Sequence, residues 1–173
     1  MEIILVRHGE PRYDEVESRG YKGMGWELGK LTSRGVLQAE KVSLDPRLHG
    51  ATLILSSPYT RALQTAAIIS KNTKLPIEVE NDLHEWMPDM KHIFDYNGQL
   101  SYEHYIANKG IRNSDEPYRW ETYSHLQQRV REAILKHQDH QKIIVVCHGI
   151  VMSSLTFFED LIEHCGIREV KLW

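Results

Sequence analysis

Two unbroken apolar runs, Ile3-Ile4-Leu5-Val6 and Ile143-Ile144-Val145-Val146-Cys147, constrain the fold of this chain more than any other feature. Both are short and rich in β-branched residues, which are stiff in a helix and pack well on a pleated surface. A strand that is apolar at every position must be covered on both faces, as in a parallel sheet between two layers of helices. Residues 2–7 and 142–147 therefore read as strands, and so do residues 52–56 and 76–80.

Helical patterns alternate with these strands. Ala62, Ala66 and Ile69 fall at i, i+4 and i+7, with Ser57 as the expected N-cap and Pro58 as the first helical residue. Thr32 would cap a helix running to about Leu44, with Pro46 stopping it. Leu126, Val130, Ala133 and Ile134 form another apolar face, and Val151, Leu155, Phe158 and Ile162 a further one. A last strand over residues 167–173 is weakly signalled. The expected class is α/β, a three-layer α/β/α sandwich with a mostly parallel central sheet. At 173 residues the whole chain, 1–173, fits one domain. Residues 86–122 break the alternation with Pro88, Gly98, Gly110 and Pro117, and read as an inserted cap.

Charge and cysteine content narrow the function. Lys and Arg number 21 against 24 Asp and Glu, a net charge of −3, which denies the chain the basic stripe of a nucleic-acid binder. The N-terminal apolar run ends at Arg7-His8, too soon for a membrane span or a signal-peptide core, so a cytoplasmic protein is expected. The two cysteines form no C-x-x-C pair. His49, His125, His137 and His140 sit among polar residues and read as solvated. Gly23-Met24-Gly25-Trp26-Glu27-Leu28-Gly29 lacks the spacing and the preceding strand of a dinucleotide turn, and Gly29-Lys30-Leu31 lacks the Ser or Thr of a phosphate-binding Walker loop. A glycine-containing loop near a site entrance is the expected reading.

Ligands of open α/β sheets bind beyond the carboxyl ends of the strands. Those ends carry Arg7-His8-Gly9-Glu10, then Ser56-Ser57-Pro58 leading to Arg61, then Leu83-His84-Glu85, and finally His148-Gly149. If the strands are parallel, two arginines, two histidines and a glutamate share one rim. Arginine is the bidentate partner of phosphate oxygens, and the start of the Ser57-Pro58 helix would add backbone N–H groups. A neutral imidazole in such a pocket has a lone pair available to attack phosphorus. The glycines after both histidines would let backbone approach a phosphoryl group. His8, His84, Glu85 and His148 are also a conceivable zinc set, but the arginines would repel a cation and no H-E-x-x-H helix is present. Neither a metal nor another cofactor is expected.

Taken together the residues resemble the histidine phosphatase superfamily, the phosphoglycerate mutase-like group. The pieces are Leu5-Val6-Arg7-His8-Gly9-Glu10, Leu31-Thr32 with Gly35 and Gln38-Ala39, Ser56-Ser57-Pro58 with Arg61-Ala62 and Gln64-Thr65-Ala66, Leu83-x-Glu85, and His148-Gly149. The resemblance implies that His8 is the nucleophile and forms a phosphohistidine, that Arg7, Arg61 and His148, with Gly149, hold the phosphoryl group, and that Glu85 is the general acid and base. Asp89 and His84 are alternative proton donors. Pro11 replaces the usual Thr or Ser, and no Asn stands near Tyr13 or Asp14. The implied substrate is a small phosphorylated metabolite, recognised by the cap through Trp86, Phe94, Tyr96, Tyr102, Tyr105 and Trp120 beside Lys91, Lys109, Arg112 and Arg119; alternatively these aromatics form the cap's own core. A mutase, a non-catalytic phospholigand binder and a phosphoprotein phosphatase are the other readings. Oligomeric state is not readable from the sequence.

Overall fold

The computed structural model describes residues 1–20, 25–91 and 97–172. Its strands are β1 (Glu2–Arg7), β2 (Pro11–Arg12), β3 (Lys30–Leu31), β4 (Ile54–Ser56), β5 (Ile77–Val79), β6 (Lys142–Cys147) and β7 (Ile167–Lys171). The α-helices are α1 (Asp14–Ser18), α2 (Ser33–Val42), α3 (Thr60–Thr73), α4 (Gly98–Ala107), α5 (Tyr123–Leu135) and α6 (Gly149–Ser153).

The five long-range strands form one sheet in the order β5-β4-β6-β1-β7, with β2 and β3 as a separate ribbon. Parallel pairing joins β5, β4, β6 and β1, and β7 lies antiparallel along the outer side of β1. The register sets Val6 opposite Val146 and Val146 opposite Ser56. The segments leaving β1, β4 and β6 are thereby level, and their polar residues share one rim.

Both faces of the sheet are covered, as the unbroken apolar runs require. Ile3, Leu5, Leu55, Ile143 and Val145 pack with Leu126, Val130, Ala133 and Ile134 of α5 and Val151 and Met152 of α6. Ile4, Val6, Ile54, Ile144 and Val146 pack on the opposite face with Ala62, Ala66 and Ile69 of α3 and Val42 of α2. The architecture is three-layered, α/β/α, around a mostly parallel sheet. Thr32 caps α2 as expected, its Oγ1 accepting from Gly35 N at 2.9 Å. None of the described helices is long and apolar enough to cross a membrane.

Three expectations need correction. The helix after β4 starts at Thr60 with Tyr59 flanking it, because the Ser57 hydroxyl is engaged by His148 and by Tyr59 N instead of capping a turn begun at Pro58. The helix expected from Val151 to Ile162 ends at Ser153. The hydroxyls of Ser153 and Ser154 bond back to the carbonyls of Ile150 and Val151, a competition with helix propagation, and Glu159 takes a left-handed φ of 61°. The strand expected at 76–80 is only Ile77–Val79, at the sheet edge, with Glu78 and Val79 exposed.

Candidate active site

The turn after β1 is fixed by backbone first. His8 N donates to Cys147 O at 3.0 Å, and Gly9 N donates to Thr65 Oγ1 at 3.0 Å, whose hydroxyl donates to Arg61 O at 2.8 Å. The ends of β1 and β6 and the first turns of α3 are thus one rigid unit. His8 is 3% exposed, and its Nδ1 lies 2.8 Å from its neighbour's carbonyl, Gly9 O. A carbonyl can only accept, so Nδ1 carries the proton and Nε2 is the unprotonated nitrogen, an acceptor. Arg61 Nε donates to that Nε2 at 3.2 Å. Burial, then the charge of Arg61, pushes the His8 pKa down to about 3, with the Gly9 carbonyl opposing and Arg7 assisting. The ring is neutral throughout the physiological range.

Cations and a second imidazole surround this lone pair. Arg61 also donates to Trp26 O at 3.2 Å and lies over the rings of Tyr59, at 5.1 Å, and Tyr13, at 5.9 Å. Arg7 donates through Nη1 to the Ile162 carbonyl, while its buried Nε has no hydrogen-bond partner among the described residues. The His148 ring stands 5.2 Å from that of His8, edge to face, and its Nε2 is 2.7 Å from Ser57 Oγ. Burial, then Arg61, drives the His148 pKa well below its usual value. Its buried Nδ1 has no hydrogen-bond partner among the described residues and stands 3.8 Å from Glu85 Oε2. Glu85 is held from the other side by Trp86 N, which donates to Oε1 at 2.8 Å. Burial raises the Glu85 pKa even though Arg61 and Arg7 pull it down. His8, Arg61, His148, Glu85 and Arg7 therefore do converge on one rim.

The family assignment rests on these same elements. A family model described as histidine phosphatase superfamily (branch 1) matches residues 3–158, from the middle of β1 to beyond α6. The chain belongs to that superfamily. The adenosylcobalamin/alpha-ribazole phosphatase of Escherichia coli is 32% identical over 167 residues, covering 90% of this chain and 77% of that protein. A Proteus mirabilis protein named "Probable phosphoglycerate mutase GpmB" is 27% identical over 161 residues, covering 90% of this chain and 73% of its own length. Among solved structures, the alpha-ribazole phosphatase of Shigella flexneri superposes with a TM-score of 0.70 at 21% identity, over 99% of this chain and 91% of that one.

Two glycines at the site are required by close backbone packing. A Cβ on Gly9 would stand 2.5 Å from Gly35 O, and one on Gly35 would stand 2.3 Å from Glu10 O. Their absence of side chain lets α2 close against the His8 turn, which also holds Glu10 N to Gln38 Oε1 at 2.8 Å. Gly149 lies against Arg7, with a hypothetical Cβ 3.4 Å from Nε.

Several residues at the site carried no motif. Arg129 of α5 is 7% exposed and donates from Nε at 2.6 Å and Nη2 at 2.8 Å to the two oxygens of the buried Glu121. It also donates to the carbonyls of Asp82, His84 and Glu85, so it fixes the segment that carries Glu85. Burial works against the Glu121 charge, but the bonds from Arg129 win and hold its carboxyl below the ordinary range. His164 is carried to within 5.7 Å of the His8 ring by Cys165 N, which donates to the carbonyls of Arg7 and His8. Tyr13 packs on Trp26 at 4.8 Å in the stretch where an Asn was missing.

Of the alternative donors, His84 stacks near Tyr59, at 6.4 Å, with Nδ1 on the Glu85 carbonyl. Asp89 accepts from Lys91 N at 3.1 Å. Trp86, Tyr102, Tyr105 and Trp120 pack on one another and on Phe158, which is the self-packing alternative for the insertion. Phe94 and Tyr96 lie outside the described residues, as do Gly23 and Met24 of the glycine-containing loop.

Proposed function

We propose that this chain hydrolyses a small phosphomonoester through a phosphohistidine on His8. The observation that carries the reading is the unprotonated Nε2 of a buried, neutral His8, which accepts from Arg61 Nε at 3.2 Å and stands among Arg7 and His148. In the first step Nε2 attacks phosphorus and the P–O bond to the leaving alkoxide breaks. Glu85, protonated, gives its proton to that oxygen and an alcohol departs. In the second step water attacks the phosphohistidine, Glu85 takes a proton from it, and the P–N electron pair returns to Nε2 as inorganic phosphate forms.

Arg7, Arg61 and His148 hold the three equatorial oxygens, with Gly149 beside Arg7, and stabilise the charge that spreads over them. The unpartnered Arg7 Nε and His148 Nδ1 are two buried polar atoms for which those oxygens would be partners. The raised pKa of Glu85 favours the protonated acid needed for alkoxide departure. The phosphatase named as a relative at 32% identity agrees with hydrolysis. No step calls for a metal.

Phosphate release from p-nitrophenyl phosphate in excess EDTA tests the reading. Wild type is expected to turn over and to trap a phosphoenzyme, and His8→Ala to do neither; turnover by His8→Ala would remove the nucleophile assignment. Return of the phosphoryl group to a second hydroxyl is the other reading, favoured by the relative named as a mutase. Hydrolysis without any bisphosphorylated primer separates the two, since a mutase releases phosphate only slowly.

A further inference from the structure

Against Arg7 and Gly149, between the insertion and the segment after α6, lies a cavity of about 380 Å³, within the size range of small-molecule sites. Tyr102, Tyr105 and Ile106 of α4 form one wall, and Ile150 of α6 faces them with Leu161 and Ile162. It shares Arg7 and Gly149 with the phosphoryl site proposed above. Trp86, the residue after Glu85, packs its ring 6.1 Å from Tyr102 and 4.9 Å from Tyr105, against the tyrosine wall. Tyr105 is 1% exposed, yet its hydroxyl has no hydrogen-bond partner among the described residues. A buried orphan hydroxyl costs stability unless something supplies its partner.

Acidic side chains outnumber basic ones around the cavity. Glu159, Asp160 and Glu163 all contribute to its surface. Asp160 is neutralised by Arg168, whose Nη2 and Nε donate to it at 2.9 and 3.0 Å. Glu159 and Glu163 form no ion pair with any described residue. Arg7 is the sole cation among the described lining residues, and none of Lys91, Lys109, Arg112 and Arg119 lines it.

Resting on the phosphatase reading above, we propose that this cavity receives the alcohol portion of the substrate and selects a neutral or cationic, ring-bearing alcohol against one that carries a carboxylate. The phosphoryl group engages Arg7, so a carboxylate on the leaving group would meet Glu159 and Glu163 with no other cation among the described lining residues to answer it. Like charges brought together in a partly desolvated cleft are strongly discriminated against. A ring instead meets the tyrosine and isoleucine walls.

The test compares kcat/KM for 2-phenylethyl phosphate, phosphocholine and 3-phosphoglycerate, all of which leave as alkoxides. Wild type is expected to prefer the first two by about tenfold or more. In the Glu159→Gln/Glu163→Gln variant the ratio of 3-phosphoglycerate to 2-phenylethyl phosphate is expected to rise about fivefold or more. The ratio is internal to one preparation, so partial misfolding does not alter it. A wild type that favours 3-phosphoglycerate, or a ratio the double variant leaves unmoved, overturns the assignment of the cavity while His8-dependent hydrolysis of p-nitrophenyl phosphate stands. Loss of that hydrolysis brings down the phosphatase reading itself, and this inference with it.

Discussion

Replacing Arg129 with Met tests whether the acid-bearing segment is held from behind. The side chains of Arg129 and Glu121 are 8% and 0% exposed, and Met keeps much of the arginine stem's volume while removing its charge and donors. Removing one partner of a buried ion pair leaves the other charge uncompensated and typically costs about 3–5 kcal/mol. For a chain of this length each kcal/mol lowers the unfolding midpoint by roughly 2–4 °C, so the expected drop is about 6–20 °C. Thermal unfolding at neutral pH reads it. Arg129→Met/Glu121→Leu removes both charges together and is expected to recover a large part of that loss, because a buried pair replaced by apolar residues is often neutral or better. The recovery is incomplete, since Glu121 also accepts from Met87 N at 3.2 Å and His125 Nδ1 at 2.7 Å. The reasoning also fixes the pH window. With its carboxyl held below the ordinary range, Glu121 contributes stability that is present above the usual carboxylate pKa and lost as pH falls through its lowered value. A drop of less than about 2 °C in Arg129→Met, or a double variant less stable than the single one, would refute this account of the pair.

Two further expectations follow from titration. His8 and His148 are both held neutral by burial, so unfolding binds a proton at each once pH falls below about 6.5, and stability is lost from there downward by up to about 1.4 kcal/mol per pH unit for each ring. Midpoints measured from pH 7 to pH 5 should fall less steeply in His8→Gln than in wild type, and equal slopes would contradict the buried neutral ring. Glu85 acts as an acid only while protonated, so kcat/KM for an alkyl phosphate should decline as pH rises through its raised pKa. Glu85→Gln should remove that limb and slow alkyl phosphates far more than p-nitrophenyl phosphate, whose phenolate leaves unaided; equal slowing of both substrates would count against the acid role.

What could be read from the sequence was whatever local pattern enforces. Unbroken apolar runs can be buried only between two layers, so β1 and β6 and the layering around them followed directly. The rim followed from them, because parallel strands in register place Arg7, Ser57 and His148 at one level whatever the loops do. Helix ends were read less well, because tertiary partners decide them. Ser57 has the chemistry of an N-cap, but its hydroxyl is used by His148, 91 residues away. The pattern Val151, Leu155, Phe158, Ile162 has helical spacing, yet Ser153 and Ser154 turn back on the chain and Arg7 claims the Ile162 carbonyl.

Arg129 shows why the second tier of the site stays hidden in a sequence. It stands three residues after Leu126 and four before Ala133, on the buried face of α5, and that placement was a usable signal that a charge there must have a partner. Its charge partner, Glu121, stands eight residues earlier, but nothing local names the carbonyls it also binds, which lie 44 to 47 residues earlier in the chain. The same holds for the cavity beside Arg7. Its tyrosines, isoleucines and glutamates come from α4, α6 and the turn before β7, and none belongs to a motif. The phosphoryl-binding rim is built from short sequence signatures at strand ends, where one fold offers one geometry. The surface proposed to choose the alcohol is assembled from distant segments, so its charge became visible only once Glu159 and Glu163 stood around a space in which Arg7 is the sole cation among the described lining residues.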